Sequence, residues 1–241
     1  MINFKTIYED KYILIFDKPA GITVNRADTT RHELTVQDLV EEYLKFEQKD
    51  DSDFYKRAGI VHRIDKETSG ILIIAKQKES FENLQKQFKD RVVEKTYLAL
   101  VHGLVVPPQG SIMVPVGRLP WNRKRFGVLA GGKEAVTEYN TIAKFKIQGK
   151  NNIDQLTLLE LNPKTGRTHQ IRVHLKYMNH PIFADPLYAG RKTARSDRKL
   201  LPRVFLHAQK ISFLHPNTSK RVEFISELPL ELSEFLSGLQ S

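Results

Sequence analysis

The chain of 241 residues contains no cysteine, which excludes disulfides, thiolate metal sites and cysteine nucleophiles. A cysteine-free chain fits a reducing compartment. Long apolar runs are missing too. No run of the roughly 18 apolar residues that a membrane helix needs occurs, and the opening MINFKTIYEDK lacks the apolar centre of a secretory signal. The expected location is therefore the cytoplasm. The phosphate loops GxGxxG and GxxxxGK(S/T) are absent, which disfavours nucleoside triphosphate chemistry. Neither repeats nor low-complexity tracts are present, and the length suits one large domain or two small ones.

What is present is positive charge. The formal net charge is +10 and the pI about 9.6, as expected for a polyanionic partner. The excess is concentrated. Residues 117–134 (GRLPWNRKRFGVLAGGKE) carry five Lys or Arg against Glu134, and residues 191–203 (RKTARSDRKLLPR) carry six against Asp197. Residues 41–53 are acidic, with six Asp or Glu against two Lys. One basic loop is as readily a solvated surface as a contact. Two in one chain, one of them with Trp121 and Phe126 available for stacking, point toward nucleic acid.

Periodicity gives a coarse map. YILIFDK (12–18), ILIIAK (71–76), TYLALVHGLVV (96–106) and LTLLEL (156–161) read as strands. Alternation of Tyr139, Ala143, Phe145 and Ile147 adds a half-exposed one, and VFLHAQKISFL and RVEFI are late strands. TVQDLVEEYLKF (35–46) reads as a helix with Val36, Leu39, Val40, Tyr43 and Leu44 in one stripe, and Thr35 with Asp38 resembles a capping box. A helix carrying Phe81, Leu84 and Phe88 follows residue 76, THQIRVHLKYM (168–178) reads as another, and PLELSEFLSGL closes the chain with Pro229 at its start. Residues 47–57 read as a loop. Without a regular βαβ alternation the expectation is α+β with a mixed or antiparallel sheet.

Two polar clusters could carry chemistry. HRIDKETSG (62–70) lies between apolar strands, where so many polar groups are costly unless paired or used. A surface turn with an Asx-type bond from Asp65 explains the same residues. NPKTGRTHQIRVH (162–174) is a turn feeding a helix on which His169, Arg172 and Lys176 share a polar face. That face either meets water or presents Arg172 on a rigid element to a carboxylate. His62 with Asp65, and His169, His174 and His180 with Asp185, invite a metal reading, but their spacing matches no closed metal site.

At these clusters the chain resembles the RluA-type pseudouridine synthases. The resemblance rests on HRIDKETSGILIIAK, DKPAGITV (17–24), EKTYLALVHG (94–103), TGRTHQIRVHL (165–175), NHPIFADPLYAG (179–190) and FLHAQKISFLHP (205–216), in family order over residues 8–229. It implies a single catalytic domain over 1–241 around a central RNA-binding cleft, on a mixed, largely antiparallel sheet. It implies isomerisation of uridine in structured rRNA or tRNA, by C1′–N1 cleavage, base rotation and C5–C1′ bond formation, with no metal or cofactor. Asp65 matches the essential aspartate, Tyr97 the tyrosine packed on the flipped base, and Arg172 the arginine paired with the aspartate. Arg63 matches the residue that fills the gap left by the extruded nucleotide. Such a carboxylate must stay ionised, and a guanidinium favours that better than an ammonium can.

Expected RNA contacts are Arg63 and His62 in the first cluster, Arg118, Arg123, Lys124 and Arg125 in the first basic segment, and Arg167 and His169 in the second cluster. The N-terminal S4 domain of many relatives is expected to be missing, since the catalytic pattern starts near residue 8. Ala184-Asp185 stands where the family has Gly-Asp, which bears on the tightness of a turn. With no exposed apolar seam evident, a monomer is expected. A non-catalytic RNA-binding module and a metal-dependent hydrolase using the His/Asp set are the rival readings.

Overall fold

The computed structural model describes residues 5–26, 33–46, 50–122, 125–148 and 153–240. The elements run β1 (Lys5–Glu9), β2 (Ile13–Lys18), α1 (Val36–Leu44), α2 (Asp53–Lys56), β3 (Ser69–Ala75) and α3 (Lys78–Lys89). Next come β4 (Glu94–His102), β5 (Gln109–Met113), β6 (Val116–Arg118), β7 (Phe126–Val128), β8 (Val136–Gln148) and β9 (Ile153–Pro163). The chain closes with α4 (Gln170–Tyr177), α5 (Arg191–Asp197), β10 (Leu206–Leu214), β11 (Arg221–Ile225) and α6 (Leu230–Ser237). The α+β expectation holds, with pairing mostly antiparallel. No helix among the described residues is long and apolar enough to cross a membrane. Contacts divide the chain into two compact units, Met1–Glu94 with Ala208–Glu227, and Lys95–His207 with Leu228–Ser241.

In the first unit β2 pairs antiparallel with β1 and β3, β10 lies beside β3, and β11 pairs antiparallel with β10. The core is aliphatic and aromatic: Ile13, Ile15, Ile71 and Ile73 from the strands meet Phe54, Phe81, Leu84 and Phe213. Helix α1 starts at the expected capping box. Thr35 Oγ1 accepts the Asp38 N–H at 3.2 Å, and Asp38 Oδ2 accepts the Thr35 N–H at 2.7 Å, so both groups satisfy amides that the first turn leaves open. Tyr43 departs from the expected stripe: it is exposed and donates its hydroxyl to Glu9 Oε2 at 2.8 Å. The reading of 47–57 as loop also needs correction. Asp53–Lys56 is a short helix because Phe54 buries itself in the core, while 47–49 lie outside the described residues.

In the second unit the strand order is β4-β9-β8-β5, all antiparallel. Leu100, Leu159, Leu161, Leu175, Phe183, Phe205 and Leu232 are central to its core, bringing α4 and α6 onto the sheet residues. The expected strand 96–106 ends at His102, because Gly103 takes φ +82° and turns its N–H to the Gln155 carbonyl at 2.7 Å. The two basic segments are not plain loops. The first contains the hairpin of β6 and β7, paired Val116 to Val128 through Arg118 to Phe126. The second contains α5, whose Asp197 is buried. Arg203 leaves the set of expected surface cations. It is buried, with Nη1 donating to Glu231 Oε1 at 2.6 Å and Nη2 to the Leu206 carbonyl at 3.2 Å.

Candidate active site

The loop carrying Asp65 is fixed at both ends within the first unit. Ile60 bridges to Ile74, and His62 Nε2 accepts the Ile73 N–H at 3.0 Å while its ring stacks on Phe88 at 4.8 Å. Ile64 is buried beside the half-buried Asp65, whose carbonyl accepts the Thr68 N–H at 3.1 Å and closes a turn. At Gly70, with φ +113°, an added Cβ would meet the Ala208 carbonyl oxygen at 2.2 Å. Only glycine permits that approach and that backbone angle. His62 is thus a strut of the loop, whereas Arg63 is exposed.

A residue absent from the sequence-level candidates completes this anchorage. Lys18 is fully buried at the end of β2. Its ammonium donates to the carbonyls of Pro19, Ile22 and Lys66 at 2.8, 3.0 and 3.1 Å. The Lys66 carbonyl also accepts the Gly21 N–H at 2.8 Å. A buried ammonium is tolerated where hydrogen bonds replace its lost water, and here those bonds tie the DKPAG segment to the residue after Asp65. The only signal was its place directly after the apolar run of β2 and Asp17, where a lysine is seldom buried without partners.

The second cluster lies in the second unit. Buried Gln170 organises its turn. Its Oε1 accepts from Thr165 Oγ1 at 2.7 Å and from the Arg167 N–H at 3.0 Å, and its Nε2 donates to the Val136 carbonyl at 3.0 Å. Arg167 Nε reaches the Glu134 carbonyl at 3.0 Å. Helix α4 begins only after His169, which takes the left-handed φ of +55°. The expected shared polar face is therefore not formed: Arg172 is 6% exposed whereas Lys176 faces water. The reading of Arg172 as a solvated helix residue is overturned.

Arg172 is gripped by Asp185. Nε donates to Oδ2 at 2.7 Å and Nη2 to Oδ1 at 2.9 Å, with both side chains buried. Oδ1 also accepts the N–H groups of Leu187 and Tyr188 at 2.9 and 3.1 Å. The two-point grip sets the plane of the guanidinium. Ala184 just before it takes φ +61°, held by donation of its N–H to Asp197 Oδ2 at 3.0 Å. That backbone region accounts for a glycine being usual at this place. Asp185, grouped in the sequence with histidines, thus serves Arg172. Among the described residues no group of three or more His, Asp or Glu could hold a metal ion.

The other expected residues are placed as follows. Tyr97 is half-buried on β4, paired with Leu161 and packed against the second core. Two residues before it, Lys95 is desolvated, and burial lowers its amine from 10.5 to about 8. Arg118 and Arg125 are exposed in the hairpin, with the Arg118 guanidinium 5.0 Å over the Phe126 ring. Arg123 and Lys124 lie outside the described residues. His169, Phe126, Tyr188 and Arg172 come together: the His169 ring meets Phe126 edge-on at 5.5 Å, and its Nδ1 lies 2.9 Å from the Tyr188 hydroxyl. Sequence reasoning had given no role to Gln170 or Tyr188 and had grouped Asp185 with His169, His174 and His180 rather than with Arg172.

Residues 12–177 match the family model described as RNA pseudouridylate synthase. An uncharacterized RNA pseudouridine synthase of Bacillus subtilis is 36% identical over 233 residues, covering 97% of this chain and 72% of the relative. The ribosomal large subunit pseudouridine synthase D of Nitrosomonas europaea is 36% identical over 244 residues, covering 100% and 66%. Among solved structures, human RNA pseudouridylate synthase domain containing 1 superposes with a TM-score of 0.73 at 26% identity, covering 97% of this chain and 87% of that one. The chain therefore spans about two thirds to three quarters of the length of these two bacterial relatives.

Proposed function

We propose, because this chain belongs to the RNA pseudouridylate synthase family, that it isomerises uridine to pseudouridine in large-subunit ribosomal RNA. As a pseudouridine synthase it is an isomerase. The observation that carries the reading is the family match, whose span of residues 12–177 includes Asp65, Tyr97 and Arg172. The ribosomal substrate is supported by the names of relatives from Nitrosomonas europaea and Pseudomonas aeruginosa, both called ribosomal large subunit pseudouridine synthase D.

In this reading Asp65 acts at the C1′–N1 bond, Tyr97 packs against the released uracil, and the base turns so that C5 bonds to C1′. The C5 hydrogen leaves as a proton and N1 takes one up, so no oxidant or second substrate enters. Arg172 serves in this reading as the cation that pairs with the working carboxylate. The grip of Asp185 supports that role, because it uses Nε and Nη2 and fixes the plane in which the rest of the guanidinium lies. Arg63, exposed beside Asp65, is suited to filling the space of an extruded nucleotide.

The test is release of tritium from large-subunit rRNA transcribed with 5-tritiated uridine. Asp65→Asn removes the charge at constant size, so release should fall to background while RNA affinity stays within about threefold. Arg172→Met should do the same, and Arg172→Lys should also be poor because a point charge cannot grip Asp185 at two points. Turnover of the Asp65→Asn variant near the wild-type rate would end the assignment. Mapping of pseudouridines in rRNA and tRNA from cells with and without the protein decides the substrate. A lost site in tRNA alone would overturn the ribosomal part.

A further inference from the structure

Tyr188 stands where three segments of the second unit meet. Its ring is buried among Val116, Ala135 and Val173, and a phenylalanine would fill that space as well. The hydroxyl adds two connections. It accepts the backbone N–H of Phe126 in the β6–β7 hairpin at 3.1 Å and lies at hydrogen-bond distance, 2.9 Å, from His169 Nδ1. The ring adds a third, lying 5.0 Å from the guanidinium carbon of Arg172. The Tyr188 N–H donates to Asp185 Oδ1 at 3.1 Å, the oxygen that also receives Arg172 Nη2.

We propose that Tyr188 is a positioning residue that latches the hairpin carrying Arg118 and Arg125 to the Asp185–Arg172 pair, so that one side chain sets both the RNA-facing hairpin and the orientation of the guanidinium. The inference rests on the pseudouridine reading of Arg172. A buried phenol hydroxyl must find partners, and these partners both belong to segments that carry expected RNA contacts. His169 holds a left-handed φ of +55° although it bears a side chain. That conformation costs free energy unless its surroundings hold it, and the bond to Tyr188 together with the edge contact to Phe126 does so. The ring over the guanidinium's face and Asp185 along its edge hold it from two directions, which suits a cation whose plane matters.

The hairpin carries its own reporter. Trp121 is the chain's single tryptophan and is 76% exposed in the segment between β6 and β7. In the full chain without RNA, Tyr188→Phe should enlarge the fast local component of Trp121 anisotropy decay, because the tie to the Phe126 N–H is lost. In tritium release from large-subunit rRNA, the same variant should raise KM about five- to tenfold, the ratio expected for one lost hydrogen bond. Its kcat should stay within about twofold. Tyr188→Leu, which also removes the stacking ring, should lower kcat about tenfold. A merely structural tyrosine would behave otherwise, lowering the melting temperature and the active fraction, hence kcat, with KM unmoved. Unchanged Trp121 anisotropy in Tyr188→Phe would overturn the latch, and an unchanged KM would overturn its coupling to RNA. No tritium release by the wild-type chain would instead overturn the pseudouridine reading, with Trp121 still deciding the latch.

Discussion

Lys95 shares a face of β4 with Tyr97, since alternate residues of a strand point the same way. Burial lowers its amine to about 8 from 10.5. The unfolded chain therefore holds this proton up to higher pH than the folded one. Between about pH 8 and 10.5 the unfolded state binds more protons, so stability gains with rising pH, and below that window the cost of burying the charge is constant. Lys95→Met, nearly equal in size and uncharged, should raise the melting temperature by a few degrees at pH 7. The advantage should shrink steadily toward pH 10.5; an advantage that does not change with pH would show that desolvation of the charge is not its source. The two polar clusters made Asp65 and Arg172 conspicuous but left a surface turn and a solvated helix face open, and the family resemblance is what singled them out. The grip of Asp185 on Arg172 was not visible. Asp185 lies past the end of α4 and beyond a turn at Ala184 with left-handed φ, and nothing in local spacing tells which of several cations that carboxylate would meet. His169 was misread for a related reason: its left-handed backbone takes it out of the helix on which the sequence periodicity set it.

Elements whose determinants are local were legible, and those held by distant partners were not. The capping box of α1 involves residues three apart, and the alternation in β8 needs only its own side chains, which is why both could be read directly. Strands β6 and β7 are three residues each, too short for periodicity, and they exist through pairing and through the seat on Val173 and Tyr188. Helix α5 opens on Arg191 with no capping hydrogen bond from a side chain, so its sequence reads only as charge. These distinctions divide the basic segments by task. Changing Arg118 and Arg125 together to Ala should reduce the slope of log affinity against log salt by roughly one to two units, since each phosphate contact contributes about 0.7 to 0.9. Arg203→Ala, by contrast, should lower the melting temperature and leave that slope alone, because its guanidinium is occupied by Glu231 and backbone carbonyls. Equal slopes for the hairpin variant and the wild type would remove the hairpin from the RNA interface.

At the scale of the whole molecule, composition pointed toward a polyanionic partner and said nothing of the two cores. Each unit has its own apolar cluster, a division that whole-chain composition does not show. The chain has 38 Lys and Arg in all, and among the described residues Lys18 is the lysine that is fully buried, at the end of β2. Lys18 has no exposed surface and its ammonium is committed to backbone carbonyls. An amine-acylating reagent reaches a lysine only when the nitrogen is both deprotonated and open to solvent. Exposed lysines such as Lys66 should therefore be tagged at once, while Lys18 should acquire its tag only when the segments around it come apart. Followed by mass spectrometry, the slow labelling of this single side chain becomes a clock for the opening of the first unit, read in native buffer and without denaturant. If Lys18 were tagged as fast as its exposed neighbours, the loop that carries Asp65 would have to be loose in solution.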